Sequence, residues 1–422
     1  MNTPSPPFLT MTSSQLTRKT LKTCIRHFTW SWHTVVMGTG GVAGLISRFH
    51  FGQDSEAIKY LTLLFFFLNL VFFVAICSAT VARYWMFPEL WDAMLQHPTQ
   101  SLFIGAFPMG AATLINTALT INQTYHFSGP GFVYALWVFW WLDCAVSLLT
   151  AVGMILVMVT KQKHSLGQIT TLWLLPVVTL IVASSTGGLL ASALMHHHPT
   201  YATLTTAVSF MLLLIGLSLA GMIVTVYLMR LVLYGLDTSL ILSTFIILGP
   251  LGQGGFSFLV NGQNAARIAL PAALSPAAIE TATFCCAYAL WSMALMWLSI
   301  GLCSVGSVLR RQSIPFSVAH WGTIFPNALV ALLTVELGVV LESRTLDYLG
   351  AILSGELRLM FSMLLFLVWL ANGVVTQCWF FMLWCYVFAR TIPAVWNTSV
   401  FNSPCASKLD EQPLMPLEHS NV

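Results

Sequence analysis

Five long apolar segments of this chain each carry glycine, proline or a small polar cluster near the middle, and the clusters recur at nearly even spacing. They are Gly38-Thr39-Gly40-Gly41, Phe107-Pro108-Met109-Gly110, Ser184-Ser185-Thr186-Gly187-Gly188, Gly249-Pro250-Leu251-Gly252-Gln253-Gly254-Gly255 and Phe325-Pro326-Asn327. One uninterrupted hydrophobic segment separates each from the next. Lipid cannot satisfy a disturbed peptide group, so a broken spanning helix survives only against protein or a watery cavity. The pattern therefore predicts five breaks facing a common pore. For a single helix the plainer reading is that glycine lets two helices approach, and Gly40-x-x-x-Gly44 fits such a contact.

Only 7% of the 422 residues are charged and 57% are hydrophobic, against about 25% charged in soluble domains. This is the composition of an all-α polytopic membrane protein. Ten runs reach the length a bilayer demands: 31-49, 56-84, 99-121, 130-160, 170-194, 202-233, 238-263, 277-309, 317-340 and 356-389. They pair into five helical hairpins, and such internal repetition is common among transporters. The expected architecture has five broken odd-numbered helices around a central pore and five even-numbered helices outside, where Leu64-Phe65-Phe66-Phe67-Leu68 suits lipid.

Charge sets the orientation. Of 17 lysines and arginines, all but Arg48, Lys59, Arg267, Arg344 and Arg358 fall on the side of the two chain ends. The positive-inside rule then puts both termini in the cytoplasm. The expected organisation is a cytoplasmic tail over 1-30, a transport domain over 31-390 and a disordered cytoplasmic tail over 391-422. Residues 1-30 are too polar for a secretory signal, and a basic cytoplasmic tail explains them better than a transit peptide. Asn122-Gln123-Thr124 is an acceptor sequon on the outer side.

Catalytic and metal chemistry find little support. There is no HExxH, GxSxG or Walker loop, and no carboxylate pair within the spans. The nine cysteines form no CxxC, and His196-His197-His198 beside Pro199 reads as a turn. No enzyme activity, cofactor, metal or nucleic-acid partner is expected.

An anion crossing here would be held by weak donors, because none of the five clusters carries Lys or Arg. Freed amides, helix N-terminal dipoles and the hydroxyls of Thr39, Ser184, Ser185 and Thr186 are the candidates. Asp143 on the fourth segment is the clearest intramembrane charge; it reads either as a proton-linked switch or as a carboxyl bonded to neighbouring helices. His33, at the cytoplasmic end of the first segment, is a candidate for anion entry or an interfacial structural residue. Glu336, near the outer end of the ninth, reads as a bias on exit or a solvated group.

Phe28 to Gly41, Trp173-Leu174-Leu175-Pro176 with Ser184 to Gly188, Gly249 to Gly255, and Trp321-Gly322-Thr323-Ile324-Phe325-Pro326-Asn327 together resemble the tellurite-resistance/dicarboxylate transporter family, which is slow anion channel-like. Within it the chain is most similar to the fungal sulfite efflux pumps. The resemblance implies a homotrimer of ten-helix protomers in the plasma membrane, each with its own pore, exporting sulfite or bisulfite and so giving sulfite detoxification. It also implies a phenylalanine gate on the ninth helix, matched by Phe325 before Pro326, with Phe107 and Phe256 in comparable places. The anion pathway would run past Thr39, Gly40, Gly41, Pro108, Ser184, Ser185, Thr186, Gly187, Gly252, Gln253 and Asn327. The alternative cargo is malate or another C4-dicarboxylate. Two separated carboxylates would want cationic donors near both ends of a longer site, and the clusters offer none.

Overall fold

The computed structural model describes residues 19–48, 55–126, 128–236, 241–268, 275–311, 316–341 and 380–411, and every element in them is helical. In chain order the α-helices are α1 (Leu21–Arg26), α2 (His33–Ile46), α3 (Glu56–Met86), α4 (Glu89–Gln96), α5 (Ala106–Tyr125), α6 (Pro130–Lys161) and α7 (Leu175–Leu194). After them come α8 (Pro199–Tyr234), α9 (Leu248–Arg267), α10 (Pro276–Leu309), α11 (Trp321–Val340), α12 (Phe380–Trp396) and α13 (Pro404–Glu411). Among the described residues eight helical segments are long and apolar enough to cross a membrane, which makes this a multi-pass membrane protein. Most of the expected tenth span, 356-389, lies outside the described residues.

The helices sort into two layers. α3, α6, α8 and α10 are only 22–33% buried over their most apolar stretch, whereas the segments containing α5, α7, α9 and α11 are 78–94% buried. On α3 the exposed side chains Leu64, Phe67, Val71 and Val74 recur at helical spacing and form one lipid-ready stripe. On α7 every residue from Leu175 to Gly188 is buried, as for a helix enclosed by protein on all sides. The inner helices pack in succession, α2 on α5, α5 on α7, α7 on α9 and α9 on α11, and α11 returns to α2.

The expected mid-helix breaks are not there. Gly38 to Gly41 lies inside continuous α2, Ser184 to Gly188 inside α7, and Gly249 to Gly255 inside α9. The irregular backbone lies earlier instead, as a 3-10 turn leading into each inner helix: Trp30–Trp32, Ser101–Gly105, Thr171–Leu174, Ile241–Ile247 and Val318–His320. Pro108, Pro176 and Pro250 sit in the first turn of their α-helices, where a missing N–H costs nothing. Only Pro326 is interior.

The glycines serve the seams between helices. A Cβ on Gly40 of α2 would lie 2.1 Å from Thr113 Oγ1 of α5, and one on Gly105 would lie 2.4 Å from the Leu175 carbonyl oxygen of α7. On Gly188 it would meet Asn261 of α9 at 3.0 Å, on Gly252 the backbone of Leu329 on α11 at 2.8 Å, and on Gly38 the Trp321 ring of α11 at 3.3 Å. Each of the five seams thus carries a glycine where a larger residue would hold the backbones apart.

The first and last described segments meet on one face. α13 packs on α4, and Arg26 joins Asp410 at 2.7 Å and Glu89 at 3.4 Å. Fully buried Arg83 donates to the Phe28 carbonyl and to Ser403 Oγ, while the Ser403 N–H donates to His27 Nδ1 at 3.1 Å. The tail expected to be disordered from 391 is therefore ordered as far as 411, because it supplies the partners of these buried donors and acceptors; 412–422 lie outside the described residues. Asn122 is buried in the last turn of α5, so the folded protein does not offer this sequon's amide for glycosylation.

Two outcomes test this description. Gly252→Ala drives a methyl into backbone that cannot yield and is expected to cost about 1–3 kcal/mol, whereas Gly221→Ala, with nothing within 4 Å, is expected to be neutral or to gain about 0.5–1 kcal/mol; thermal unfolding in detergent reads both. Burial first, then Lys19, with Arg26 and Arg83 adding and Asp410 opposing, hold His27 below the ordinary histidine range. The docked form then binds fewer protons than the undocked one, so docking is full above that range and weakens as pH falls through it toward the folded value. Proteolytic cleavage within 398–411 should accelerate as the pH is lowered from about 8 to about 5, and His27→Asn, an acceptor that does not titrate, should flatten the dependence.

Candidate functional site

Two cavities border the inner helices, and the side chains between them decide whether they communicate. The larger, about 1150 Å³, opens near the chain ends and is lined by Ser31, Thr34, Gln100, Ser317, His320 and Arg390, among others. The smaller, about 50 Å³, lies toward the opposite face against Gly40, Gly41, Thr117, Gln253, Phe256 and Arg48. Phe325 lines both. Its side chain is buried, and its ring packs so closely on α2 that a Cβ at Gly41 would lie 3.3 Å from Phe325 Cδ2. Pro326 lines the larger cavity beside it. Proline has no N–H to return to the carbonyl of Gly322, the residue four earlier, which lines the same cavity.

Of the residues expected along the path, the structure gathers Phe325, Phe256, Gly40, Gly41 and Gln253 around the small cavity. The others face helix seams. Ser184 donates to the Ser209 carbonyl at 2.6 Å and meets Ser257 Oγ at 2.7 Å, tying α7 to α8 and α9. Ser185 takes an N–H from Gln253 and donates to Val182, so it supports the glutamine from behind. Thr186 is fully buried in α7. Gly187 lies against Trp140 and Ser209, and Gly252 against Leu329. Thr39 accepts from Trp384 Nε1 at 3.2 Å, toward α12. Asn327 donates to Thr323 of its own helix, and Pro108 is buried in the first turn of α5.

Phe107 stacks on Phe73 of α3 at 5.8 Å and sits edge-on to His33. His33 itself is buried, 3.2 Å from Thr80 Oγ1, with its ring against Trp30. Asp143 is buried on α6, and neither it nor His33 lines the two cavities. His198 stacks on Tyr201 at 3.8 Å.

The expected solvation by freed amides changes with the helices, because continuous α-helix keeps its peptide groups paired. Polar side chains replace them. Thr113, Thr117 and Asn116 of α5 line the small cavity and were not singled out from sequence, since nothing in a lone helix says which face meets a lumen. Two cations were missed as well: Arg390 in the large cavity and Arg48 in the small one. Arg48 binds Glu336 at 2.8 Å and lies 5.3 Å over the Phe256 ring. Arg390 brings a positive charge to the wide mouth.

Residues 27–377 match the family model described as Voltage-dependent anion channel. A sulfite efflux pump of Arthroderma otae is 32% identical over 336 residues, which are 78% of this chain and 87% of that protein. A sulfite efflux pump of Candida albicans is 28% identical over 249 residues, 57% of this chain and 49% of that one. A malic acid transport protein of Schizosaccharomyces pombe is 22% identical over 366 residues, 84% and 81% of the two chains.

The two cavities predict a difference in access. In a background depleted of native cysteines, Met37→Cys in the large cavity should react with a membrane-impermeant thiol reagent added at the face of the chain ends, and Thr117→Cys should not. Phe325→Ala should open Thr117→Cys to the same reagent; equal labelling with Phe325 intact would show that the ring is no barrier.

Proposed function

This chain belongs to the voltage-dependent anion channel family, and from that premise we propose that it carries sulfite or bisulfite out of the cell through the passage formed by the two cavities, with Phe325 as its gate. The family is one of channels and transporters, and the activity is transport rather than catalysis. The observation that carries the reading is that Phe325 alone among the described lining residues borders both cavities. A phenyl ring fills a narrow passage, can leave it by a rotamer change, and offers a positive edge to an anion.

Sulfite as cargo rests on the relatives named sulfite efflux pumps and on size. The cavity beyond Phe325, about 50 Å³, has room for roughly three or four waters. A compact oxyanion matches that room, and a C4-dicarboxylate with two separated carboxylates does not. The malic acid transport protein among the relatives keeps dicarboxylate transport as the second reading. The proposal takes the hairpins as five and the spans as ten, with α12 as the described end of the tenth. It sets the protein in the plasma membrane as a homotrimer with cytoplasmic chain ends and a detoxifying role. Clustering of basic residues near those ends supports the orientation.

In reconstituted vesicles, sulfite flux should exceed malate flux, and Phe325→Ala should raise sulfite flux severalfold at equal protein incorporation. Malate flux equal to or above sulfite flux would transfer the assignment to dicarboxylates, and unchanged sulfite flux in Phe325→Ala would remove the gate.

A further inference from the structure

Beyond the gate, the small cavity ends on the only ion pair that borders it among the described residues. Arg48 follows the last turn of α2, Glu336 lies in the last turns of α11, and Arg48 Nε stands 2.8 Å from Glu336 Oε1. Arg48 shares the cavity with Phe325 and Phe256, and its guanidinium rests 5.3 Å above the Phe256 ring. We infer that Arg48 is an anion-binding station on the exit side of the passage, and that Glu336 is a tethered competitor whose carboxylate occupies the guanidinium until an anion displaces it and then returns to expel that anion. The inference rests on the reading of this chain as a sulfite exporter and adds the site that sulfite occupies last.

The surrounding chemistry leaves Arg48 as the strong donor. The hydroxyls of Thr113, Thr117 and Thr120 donate to carbonyls of their own helix at 2.7, 2.8 and 3.0 Å, so their protons are committed to the backbone. Gln253 spends an amide N–H on Ser185. A guanidinium carries five N–H donors in one plane, more than a single carboxylate can take, and its edge fits a planar pair of oxygens from either a carboxylate or an oxyanion. The Arg48 and Glu336 side chains are 25% and 24% exposed. A fully sealed arginine would hold an oxyanion too tightly to conduct. At this depth the pair is neither sealed nor freely screened, so one anion can be exchanged for another. The resting pair is neutral, and the site becomes cationic only when the carboxylate swings away.

The test measures, in vesicles and on purified protein, how external sulfite opposes efflux and how sulfite binds. Relative to the native protein, Arg48→Gln should raise the external sulfite concentration needed for half-maximal opposition about tenfold, the loss of one charge-assisted contact. Glu336→Gln should lower it and slow maximal efflux, because the competitor is gone. The double variant Arg48→Gln/Glu336→Gln keeps an amide-to-amide hydrogen bond, so a pair acting only as a strut would leave it native-like; the station predicts that it behaves as Arg48→Gln. A native-like half-effect in Arg48→Gln or in the double variant overturns the inference, and if Arg48→Gln fails to assemble, an unchanged half-effect in Glu336→Gln overturns it. Calorimetric titration of purified protein with sulfite separates the two readings. Binding that depends on Arg48 without vesicle flux would sink sulfite export and keep the station, whereas flux with Arg48-independent binding would sink the station and keep export.

Discussion

Close approach of helix backbones is the constraint on which this molecule depends. Five helices can enclose a passage narrow enough for one side chain to block only if each seam is tight, and every seam between α2, α5, α7, α9 and α11 has a glycine where a Cβ would strike the neighbour. The same contacts let α7 be buried along most of its length without an unpaired peptide group, because continuous α-helix satisfies its own backbone. A 3-10 turn precedes each inner helix, and each of these turns contributes a residue to the wide mouth.

Charge is placed as sparingly as the geometry permits. No formal charge stands where Phe325, Gly41 and Ala328 meet. Arg390 stands on one side of that point and Arg48 on the other. Buried polar groups away from the passage serve cohesion instead, as in the Ser184, Ser257 and Asn261 network that binds α7 to α9.

Much of the fold was legible in the chain. The expected spans 56-84, 130-160 and 277-309 fall within a few residues of α3, α6 and α10, because a long apolar run bounded by Pro or Ser caps admits few other structures in a bilayer. The residue that borders both cavities was legible through a motif, Phe325-Pro326. The breaks were misread because glycine weakens a lone helix but stabilises a packed one that needs the space. Thr39, Ser184 and Ser185 looked like lumen donors and are seam residues, while Arg48 and Arg390 lay at segment ends where arginine is commonplace.

Composition and apolar run length, being properties of the chain itself, determined by themselves that this is a membrane-embedded helical protein and where most of its described helices run. Four ordered motifs, from Phe28 to Gly41 through Trp321 to Asn327, carried the family resemblance. Which residues face the passage was decided only by tertiary structure. Successive residues of a helix point about 100° apart, and the rotation of each helix about its axis is set by the neighbours it meets across a glycine seam. Ser185 and Gln253 sit in equally buried helices and hydrogen-bond to each other, yet only the glutamine lines the cavity. That difference comes from the packing of α7 against α9, which no local pattern records.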